Sequence, residues 1–292
     1  MSEPKNLVAV SYGGGIQSTA IAHLVINKDP RLLAVVPELP SVFVFADTGD
    51  EPEAVYSALR GMRKTLEGAG IKLLEVKKKA KHGKSISEDI LERARAGLKG
   101  GGDMPPVFTL NPDGTQGHLH RQCTVHWKVK IIHKALKEEA GLNLRKLSHR
   151  DHGVCVDQWL GISTDEVSRM RTPSEAWLKH TYPLIEMGWT RANCISYLDE
   201  LGIQATRSAC VYCPFQSDAE WKRLKTTDQE GWKKAVEFEK ELHTFIDIGQ
   251  PICGLKNRFY FHRSMVPLEE ADFNNQLDLF GFDEECAGVC GV

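Results

Sequence analysis

The fold is decided by the stretch Asn6-Leu-Val-Ala-Val-Ser11-Tyr-Gly-Gly-Gly-Ile-Gln-Ser18, close to the start of the chain. Residues 6–11 are short and apolar, which is typical of a buried strand that stops at a glycine run. An apolar stripe at helical spacing then predicts a helix over residues 17–27. Between them, the glycines allow a tight turn whose N–H groups approach a polyanion, and the helix directs its positive end there. The unit predicts a phosphate-binding loop, with an ordinary tight turn as the alternative.

Strands and helices alternate through the rest of the first half of the chain. Residues 41–46 and 71–76 are apolar segments of strand length, and a helical repeat of apolar residues separates them. A further helix is predicted over residues 128–140 and a further strand over residues 158–162. This alternation predicts an α/β fold with a doubly wound, mostly parallel sheet that is covered on both faces. Right-handed crossovers would place a ligand along the carboxyl edge of that sheet.

Changes in composition divide the 292 residues into three predicted regions. Residues 1–172 carry the alternating pattern and are predicted to form a nucleotide-binding α/β domain. Residues 173–270 are rich in tryptophan and mainly helical, and we expect them to form a C-terminal extension. Residues 271–292 are polar and are predicted to form a mobile tail that carries cysteines. Within the first region, residues 99–117 are rich in glycine and proline and are predicted to form a mobile loop.

The formal net charge of −2 argues against a broadly basic nucleic-acid-binding protein, although a local basic patch is compatible with it. The N-terminus lacks the pattern of a signal peptide, and no apolar run approaches the ~20 residues that a spanning helix needs. We therefore expect a soluble, cytoplasmic protein without a membrane partner. Thiols stay reduced in that compartment, so the 8 cysteines are expected to bind metal or act in catalysis rather than to form disulfides.

The strongest cysteine motif is Cys210-Val-Tyr-Cys213-Pro. Two thiolates at this spacing can bind one metal ion or cluster from a single tight turn. A redox-active pair and a pair of simply buried thiols are the alternatives. Cys123 lies among basic residues, and positive charge favours the thiolate that a metal ligand or a nucleophile requires. Cys194 and Cys253 lie in apolar segments and are predicted to be core residues.

A series of motifs in chain order extends the pattern over residues 8–215. After the glycine loop, the motifs are Asp47-Thr-Gly-Asp-Glu-Pro-Glu53, Arg121-Gln-Cys-Thr124 with Lys128 or Lys130, Gly161-Ile-Ser-Thr-Asp-Glu166 with Arg169, Pro183-Leu-Ile185 and Ala209-Cys-Val-Tyr-Cys-Pro214. Taken together, the series resembles the PP-loop superfamily and, within it, the phosphoadenosine phosphosulfate reductase family. The resemblance implies an adenine nucleotide alpha-hydrolase-like sheet that binds ATP, with magnesium, or phosphoadenosine phosphosulfate.

The resemblance also assigns roles to individual residues. The residues implied at the nucleotide are Ser11, Gly13, Gly14, Gly15, Gln17, Ser18, Asp47, Gly49 and Gly161. For Asp47, an N-cap of the following helix is an alternative. The implied catalytic residues are Lys128, Arg169 and Cys290. Gln17 departs from the pattern of the ATP-cleaving members, which carry at this position an aspartate that helps to place magnesium. At this position the chain is more similar to the reductase branch.

Iron–sulfur members of the family place one cysteine and a later Cys-X-X-Cys pair at corresponding positions, which implies a 4Fe-4S cluster, with zinc as the alternative. The implied metal ligands are Cys123, Cys210, Cys213 and Cys286. Some members carry a second cysteine next to the first, but this chain has Thr124 at that position. The identity of the fourth ligand therefore stays open between Cys286, Cys290 and Cys155. The tail, Glu285-Cys286-Ala-Gly-Val-Cys290, loosely resembles the Glu-Cys-Gly by which sulfonucleotide reductases attack sulfur, and incidental cysteines are the alternative.

Three functions are compatible with these features. The first is an adenine-nucleotide-dependent sulfur-transfer enzyme, which adenylates an acceptor and inserts sulfur held by cysteine or a cluster. A nucleic acid is the acceptor that the basic run Lys77-Lys-Lys79 favours, although such a run is also typical of a solvated loop. The second is a sulfonucleotide reductase, and the third is a non-catalytic nucleotide-binding protein with zinc. A sulfur-donor or thiol-reductant protein and a second copy of the chain are further candidate partners.

Overall fold

The computed structural model describes residues 6–79, 83–98, 103–111, 114–142, 155–204 and 207–274. Within these ranges the strands are β1 (Leu7–Ser11), β2 (Val42–Asp47), β3 (Lys72–Lys77), β4 (Phe108–Leu110), β5 (Gln116–His118), β6 (Val156–Leu160), β7 (Leu178–Thr181) and β8 (Phe259–Tyr260). The α-helices are α1 (Ile16–Ile26), α2 (Pro30–Leu33), α3 (Glu53–Gly68), α4 (Ile86–Arg95), α5 (Lys130–Glu139), α6 (Pro183–Glu186), α7 (Arg191–Glu200), α8 (Asp218–Thr227) and α9 (Gln229–Asp247). A π-helical turn, Val125–Val129, precedes α5, and a 3-10 segment, Thr164–Arg169, follows β6.

The predicted mostly parallel sheet is confirmed. Five strands pair in the order β3-β2-β1-β6-β7, and each pair is parallel. On β1, Val10 lies beside Phe43 of β2 on one side and beside Trp159 of β6 on the other. The chain passes from β1 outward to β2 and β3, and later adds β6 and β7 on the opposite side of β1. The strand order therefore reverses between β1 and β6, and open α/β sheets bind their ligands in the crevice at such a point.

Helices cover both faces of this sheet, because successive side chains along each strand point to opposite sides. On one face, Val10, Phe43 and Trp159 belong to an apolar core that includes residues of α1, α3 and α7. On the other face, Ala9 and Val44 pack in a core with residues of α5. The apolar spacing predicted for α3 is confirmed, since its four expected inward residues are all buried, namely Val55, Leu59, Met62 and Leu66.

A third apolar core joins the C-terminal helices to segments from the middle of the chain. Trp221 of α8 and Phe238 of α9 belong to it, together with Ile90 of α4 and Trp127 of the π-helical turn. A small antiparallel sheet, in the order β5-β4-β8, contributes to the same part of the molecule. The interpretation of residues 99–117 as a loop is wrong in part, because β4 and β5 form antiparallel pairs within it.

The parallel sheet continues past residue 172, where the sequence predicts a domain boundary. β7 pairs with β6, and α7 packs against α1 on one face of the sheet. The sequence of β7, Leu-Lys-His-Thr, has no continuous apolar run, so periodicity does not indicate it. The division into regions stays a prediction. Among the described residues, no helix is both long and apolar enough to cross a membrane.

Gly49, which follows β2, is expected to tolerate no side chain. Its φ is +77°, and a Cβ built there would lie 2.5 Å from the Cβ of Ser85. Gly49→Ala therefore combines left-handed backbone strain with a clash, and we expect it to lower the free energy of unfolding by ~2 kcal/mol or more. Urea denaturation of the variant and the wild type measures this loss.

Gly61→Ala is the matched control for this substitution. Gly61 lies inside α3, and an added Cβ would meet no heavy atom within 4 Å among the described residues. Because alanine has the higher helix propensity, this variant should gain about 0.5–1 kcal/mol in the free energy of unfolding. If the two variants were equally stable, the close packing of Gly49 against Ser85 would be contradicted.

A buried carboxylate in the third core titrates near neutral pH. Glu239 of α9 is 2% exposed and accepts hydrogen bonds from the backbone N–H groups of Phe261 (3.0 Å) and Leu268 (2.6 Å). Burial raises the pKa of this carboxyl from 4.5 to about 7. The folded state therefore holds the proton more tightly than the unfolded state does. The resulting stabilisation is complete below about pH 4.5 and is lost as the pH rises through about 7.

We expect this group alone to lower the free energy of unfolding between pH 4.5 and 7, by on the order of 3 kcal/mol. Glu239→Gln cannot ionise, so its unfolding free energy should lack that pH-dependent component. Glu237→Gln is the control on the same helix, because the Glu237 side chain is 65% exposed. Urea denaturation across the pH range tests the assignment, and a Glu239→Gln profile parallel to that of the wild type would refute it.

Candidate nucleotide and thiol site

The glycine loop connects β1 to α1 and turns sharply at Gly14, whose φ is +78°. A Cβ at Gly14 would lie in ordinary contact with Cγ1 of Val55 at 3.4 Å, so it is the left-handed backbone conformation that favours glycine here. Gly15 is the N-cap of α1, and the first N–H groups of a helix have no partner inside that helix. These groups and the positive end of the helix dipole give the loop the geometry of an anion site.

Gly161 brings the end of β6 against the start of α1. A Cβ at Gly161 would lie 3.1 Å from the backbone N of Ser18 and 3.4 Å from the Cβ of Gln17. The segments that leave β1 and β6 are therefore in direct contact at the point where the strand order reverses. A side chain at position 161 would push them apart, which explains the glycine there.

The side chain of Gln17 is buried and links the loop to the 3-10 segment. Its Nε2 donates a hydrogen bond to Oε2 of Glu166 at 3.0 Å and lies 3.5 Å from the hydroxyl of Ser163. The other carboxylate oxygen of Glu166 pairs with Arg169. Arg169, which the motifs assign to catalysis, is thus connected to the loop through Glu166. The same contact explains why an amide suits position 17, since a carboxylate there would face that of Glu166.

Asp47 lies at the end of β2 and is 2% exposed. Its carboxylate accepts hydrogen bonds from the N–H of Gly49 (2.7 Å) and the hydroxyl of Tyr56 (2.9 Å), and it pairs with Lys77 at 2.5 Å. Burial, followed by the charge of Asp47, raises the pKa of Tyr56, so this phenol keeps its proton. The alternative interpretation of Asp47 as an N-cap is wrong, because Pro52 holds the N-cap position of α3.

A buried ion pair lies at the same edge of the sheet. Lys128 projects from the π-helical turn, and its Nζ lies 3.0 Å from Oε1 of Glu51. The two side chains are 8% and 0% exposed. The hydroxyl of Thr48 donates to the same carboxylate oxygen at 3.2 Å. Desolvation largely cancels the attraction within a buried pair, so stability alone is a weak explanation for Lys128.

The Cys210-Val-Tyr-Cys213 segment is anchored by the residue that follows Gly49. The backbone N–H of Val211 donates to the carbonyl oxygen of Asp50 at 2.8 Å. The hydroxyl of Tyr212 donates to the carboxylate of the same residue. Burial raises the pKa of Tyr212 well above its usual value, with the charge of Asp50 as the second cause, so the phenol stays a donor.

The cysteine segment lies close both to the sheet edge and to the glycine loop. The sulfur of Cys210 lies 3.4 Å from Oγ1 of Thr48, which follows β2. Ser208 lies beside the loop, with its Cβ 3.9 Å from the position that a Cβ on Gly15 would take. The glycine loop and the Cys-X-X-Cys pair are therefore neighbours in space.

A small cavity of about 30 Å³ brings together three of the predicted metal ligands. Cys123, Cys210 and Cys213 all line it, and so do Lys128 and Tyr212. Burial raises the pKa of the Cys210 thiol well above its usual value, and nearby carboxylate charge adds to the effect. A thiolate at this position therefore needs a positive partner, and a bound metal is one that deprotonates cysteine.

The donor set suits a thiophilic metal, because cysteine thiolates select zinc and iron–sulfur clusters. The described part of the chain contains no group of three His, Cys, Asp or Glu side chains already placed to hold one metal ion. The three thiols thus share a cavity without surrounding a single point. The predicted ligand Cys286 and the predicted catalytic Cys290 lie outside the described residues.

The other described cysteines do not line this cavity. Cys155 precedes β6, so it lies at the amino edge of the sheet, about five residues or ~17 Å from the carboxyl edge. Its candidacy as the fourth ligand is therefore wrong. The prediction that Cys194 is a core residue is confirmed, since it is 0% exposed. Cys253 is half-buried against the third core, and burial raises the pKa of its thiol to about 11.

An open groove of about 750 Å³ adjoins the cysteine cavity, and Arg121 and Thr124 line both. One wall comes from residues 121–133 and the other from residues 169–180. Arg169 lies in this groove. Sequence analysis does not indicate the groove, because its walls come from segments that are far apart along the chain.

The roles of Asp50 and Glu51 are not apparent from the sequence, although both residues lie within the motif that begins at Asp47. Their position after a predicted strand is the signal that could have indicated them. No protein-family model matches this chain, and no curated protein matches it. Any functional interpretation of this chain therefore depends on the contacts described above and on the resemblance of its motifs.

We expect protein purified without oxygen to contain iron and acid-labile sulfide, and Cys210→Ser to lose most of both, because serine replaces a soft thiolate with a poor ligand. Metal analysis and a sulfide assay on the same samples measure the loss. Cys155→Ala is the matched control, since it removes a buried thiol at the opposite edge and should retain the metal. Zinc in place of iron would point to a structural zinc site. If the wild type contained neither iron nor zinc, or if both variants lost the metal equally, a metal site at these cysteines would be excluded.

Proposed function

We propose that this chain is an adenine-nucleotide-dependent sulfur-transfer enzyme of the PP-loop type, with an adenine nucleotide alpha-hydrolase-like fold. The observation that carries the proposal is the juxtaposition of the glycine loop and the three-cysteine cavity at one edge of the sheet. A reaction in which a nucleotide activates a group and sulfur then replaces it needs these two sites to be adjacent. The motif series that resembles the phosphoadenosine phosphosulfate reductase family supports the same interpretation.

The nucleotide would bind with its phosphates on the glycine loop. Gly14 and Gly15 allow the backbone to approach the phosphates, and the first N–H groups of α1 would donate to their oxygens. The same groups would stabilise the negative charge that develops when pyrophosphate leaves. Gly161 keeps the end of β6 close to the start of α1, and the nucleotide would lie beside this junction, at the point where an open α/β sheet binds its ligand.

The reaction would proceed in two displacements. In the first, an oxygen of the acceptor attacks the α-phosphorus of ATP, and pyrophosphate leaves with the bonding electron pair. In the second, a sulfur nucleophile attacks the activated carbon of the acceptor, and AMP leaves with the oxygen. Lys128 lines the cysteine cavity but is paired with Glu51, so its charge does not offset the burial that raises the pKa of the Cys210 thiol. A bound iron–sulfur cluster would keep the cysteines as thiolates and hold the sulfur to be transferred.

Magnesium fits the loop less well than the phosphates do. The side chain at the position that would carry a carboxylate is Gln17, and its amide nitrogen is bound to Glu166. The carboxylate of Glu166 is itself paired with Arg169. No step above depends on a metal held by the loop.

The same observation favours a second candidate function, a sulfonucleotide reductase. A reductase binds its nucleotide without cleaving it at the α-phosphorus, so an amide at position 17 is sufficient. In that reaction a tail cysteine, Cys286 or Cys290, would attack the sulfur of phosphoadenosine phosphosulfate. The nucleotide phosphate would leave, and a thiol-reductant protein would then release the sulfur as sulfite.

Isothermal calorimetry with ATP and with phosphoadenosine phosphosulfate, both with magnesium present, separates the two functions. We expect tighter binding of ATP. Tighter binding of the sulfonucleotide would support the reductase, and binding of neither would refute a nucleotide-dependent function. Gly15→Ala should weaken nucleotide binding by about tenfold or more, because its methyl group would enter the space that phosphates need.

The design of Gly15→Ala separates binding from folding. The φ of Gly15 is −88°, and an added Cβ would come no closer than 3.9 Å to a described heavy atom. The variant should therefore unfold at the same temperature as the wild type. Gly61→Ala in α3 is the control with the same chemical change away from the loop, and its nucleotide affinity should equal that of the wild type.

A further inference from the structure

The groove beside the cysteine cavity is strongly basic. Four cationic side chains line it, namely Arg121, Lys130, Arg169 and Arg171. One lining residue, Glu175, is acidic, and it lies 3.6 Å from Nδ1 of His133. Burial lowers the pKa of His133, so this histidine is a neutral hydrogen-bonding group at pH 7. The groove therefore has a net positive charge in a protein whose formal net charge is −2.

Arg169 shows that the groove is built to receive an acceptor of hydrogen bonds. Its side chain is 10% exposed and pairs with Glu166 through Nη1. Within the described residues, Nε and Nη2 of the same guanidinium are buried and have no hydrogen-bond partner. Buried donors without a partner carry a desolvation cost of about 1–3 kcal/mol each. An anion with two oxygens, such as a phosphodiester, matches the planar geometry of such a group.

The end of the groove nearest the cysteines carries an aromatic ring. The guanidinium carbon of Arg121 lies 4.4 Å from the centre of the Phe215 ring. Proteins that bind single strands combine a basic groove with aromatic and guanidinium planes on which bases stack. Because Arg121 also lines the cysteine cavity, a base stacked here would lie at its entrance.

We infer that this groove binds a single-stranded nucleic acid, which is the acceptor of the transferred sulfur. Phosphates of the strand contact Lys130, Arg169 and Arg171, and a base lies against Arg121 and Phe215. The inference rests on the proposed function, because it names the acceptor of that reaction. A mononucleotide would use the glycine loop instead, whereas four cations along an open groove match a chain with repeated charges.

This surface differs from the basic run that suggests nucleic-acid contact in the sequence. Lys77 pairs with Asp47, and Lys78 pairs with Asp103 at 2.7 Å while its Nζ lies 4.4 Å from the centre of the Trp127 ring. Those two lysines are committed to contacts within the protein. The groove gathers four cationic side chains on one open surface, which makes it the better site for a polyanion.

The test is the fluorescence anisotropy of a labelled single-stranded 20-residue oligonucleotide, as DNA and as RNA, measured over a range of salt concentrations. The double variant Lys130→Ala/Arg171→Ala removes two phosphate contacts. Each contact contributes about 0.7 to the slope of log affinity against log salt for single strands. The variant should therefore lose about 1.4 from this slope, which corresponds to an affinity about 25-fold weaker at 0.1 M salt.

Lys233→Ala/Lys240→Ala is the control, because it removes the same charge from exposed side chains of α9 outside the groove. It should bind the oligonucleotide like the wild type. Lys130→Glu alone gives a second measure, in case loss of the Arg171 side chain disturbs the neighbouring segment. An unchanged slope in both groove variants would overturn the inference. Equally tight binding of polyglutamate of the same length would overturn it in favour of an acidic polypeptide.

ATP binding measured on the same samples separates this inference from the proposed function. Retention of ATP affinity in the groove variants, together with weaker oligonucleotide binding, supports both. If the wild-type protein bound ATP but no oligonucleotide, the inference about the groove would be refuted while the proposed function would stand. A protein that binds oligonucleotide but no adenine nucleotide would refute the proposed function and with it the role of the strand as a sulfur acceptor.

Discussion

The carboxylate of Asp50 joins the parallel sheet to the third core, and the arrangement of the site depends on it. Asp50 is 1% exposed, and Ser87 donates to it from both its backbone N–H and its hydroxyl at 2.8 Å. Tyr212 donates its hydroxyl, and Lys234 of α9 lies 2.5 Å from the same carboxylate. One buried charge is thus compensated by groups from α4, α9 and the cysteine segment. Networks of this kind favour a unique arrangement when every member has its partners.

The consequence of this constraint is that the candidate site lies between two parts of the fold. The sheet supplies the glycine loop and the residues that follow β2 and β6. Cys123 and Cys210 pack against the third core, and Lys128 comes from the π-helical turn that leads into α5. Lys234 also donates to the carbonyl oxygen of Gly49 at 2.9 Å, which ties α9 to the same edge. Chemistry at such a site depends on packing between elements that are distant along the chain.

Local patterns were sufficient for much of the fold and for part of the site. The apolar repeat of α3 and the strand–glycine–helix unit at β1 depend on neighbouring residues, so periodicity indicates them. Contacts such as Gln17 with Glu166, 149 residues apart, and Lys128 with Glu51, 77 residues apart, depend on the order of strands. That order follows from packing and not from any single segment. The Cys155 alternative, by contrast, could have been set aside from the sequence, because a residue that precedes a parallel strand lies at the amino edge of the sheet.

The proximity of Ser208 to the glycine loop has a thermodynamic consequence. If a ligand on the thiols shifted Ser208, the space beside Gly15 would change, and a ligand on the loop would act on Ser208 in return. Linkage requires the two effects to be reciprocal, so any factor by which metal changes nucleotide affinity equals the factor by which nucleotide changes metal affinity. Binding of metal to the thiols and of nucleotide to the loop would then form a single coupled equilibrium, in which the concentration of one ligand sets the apparent affinity for the other.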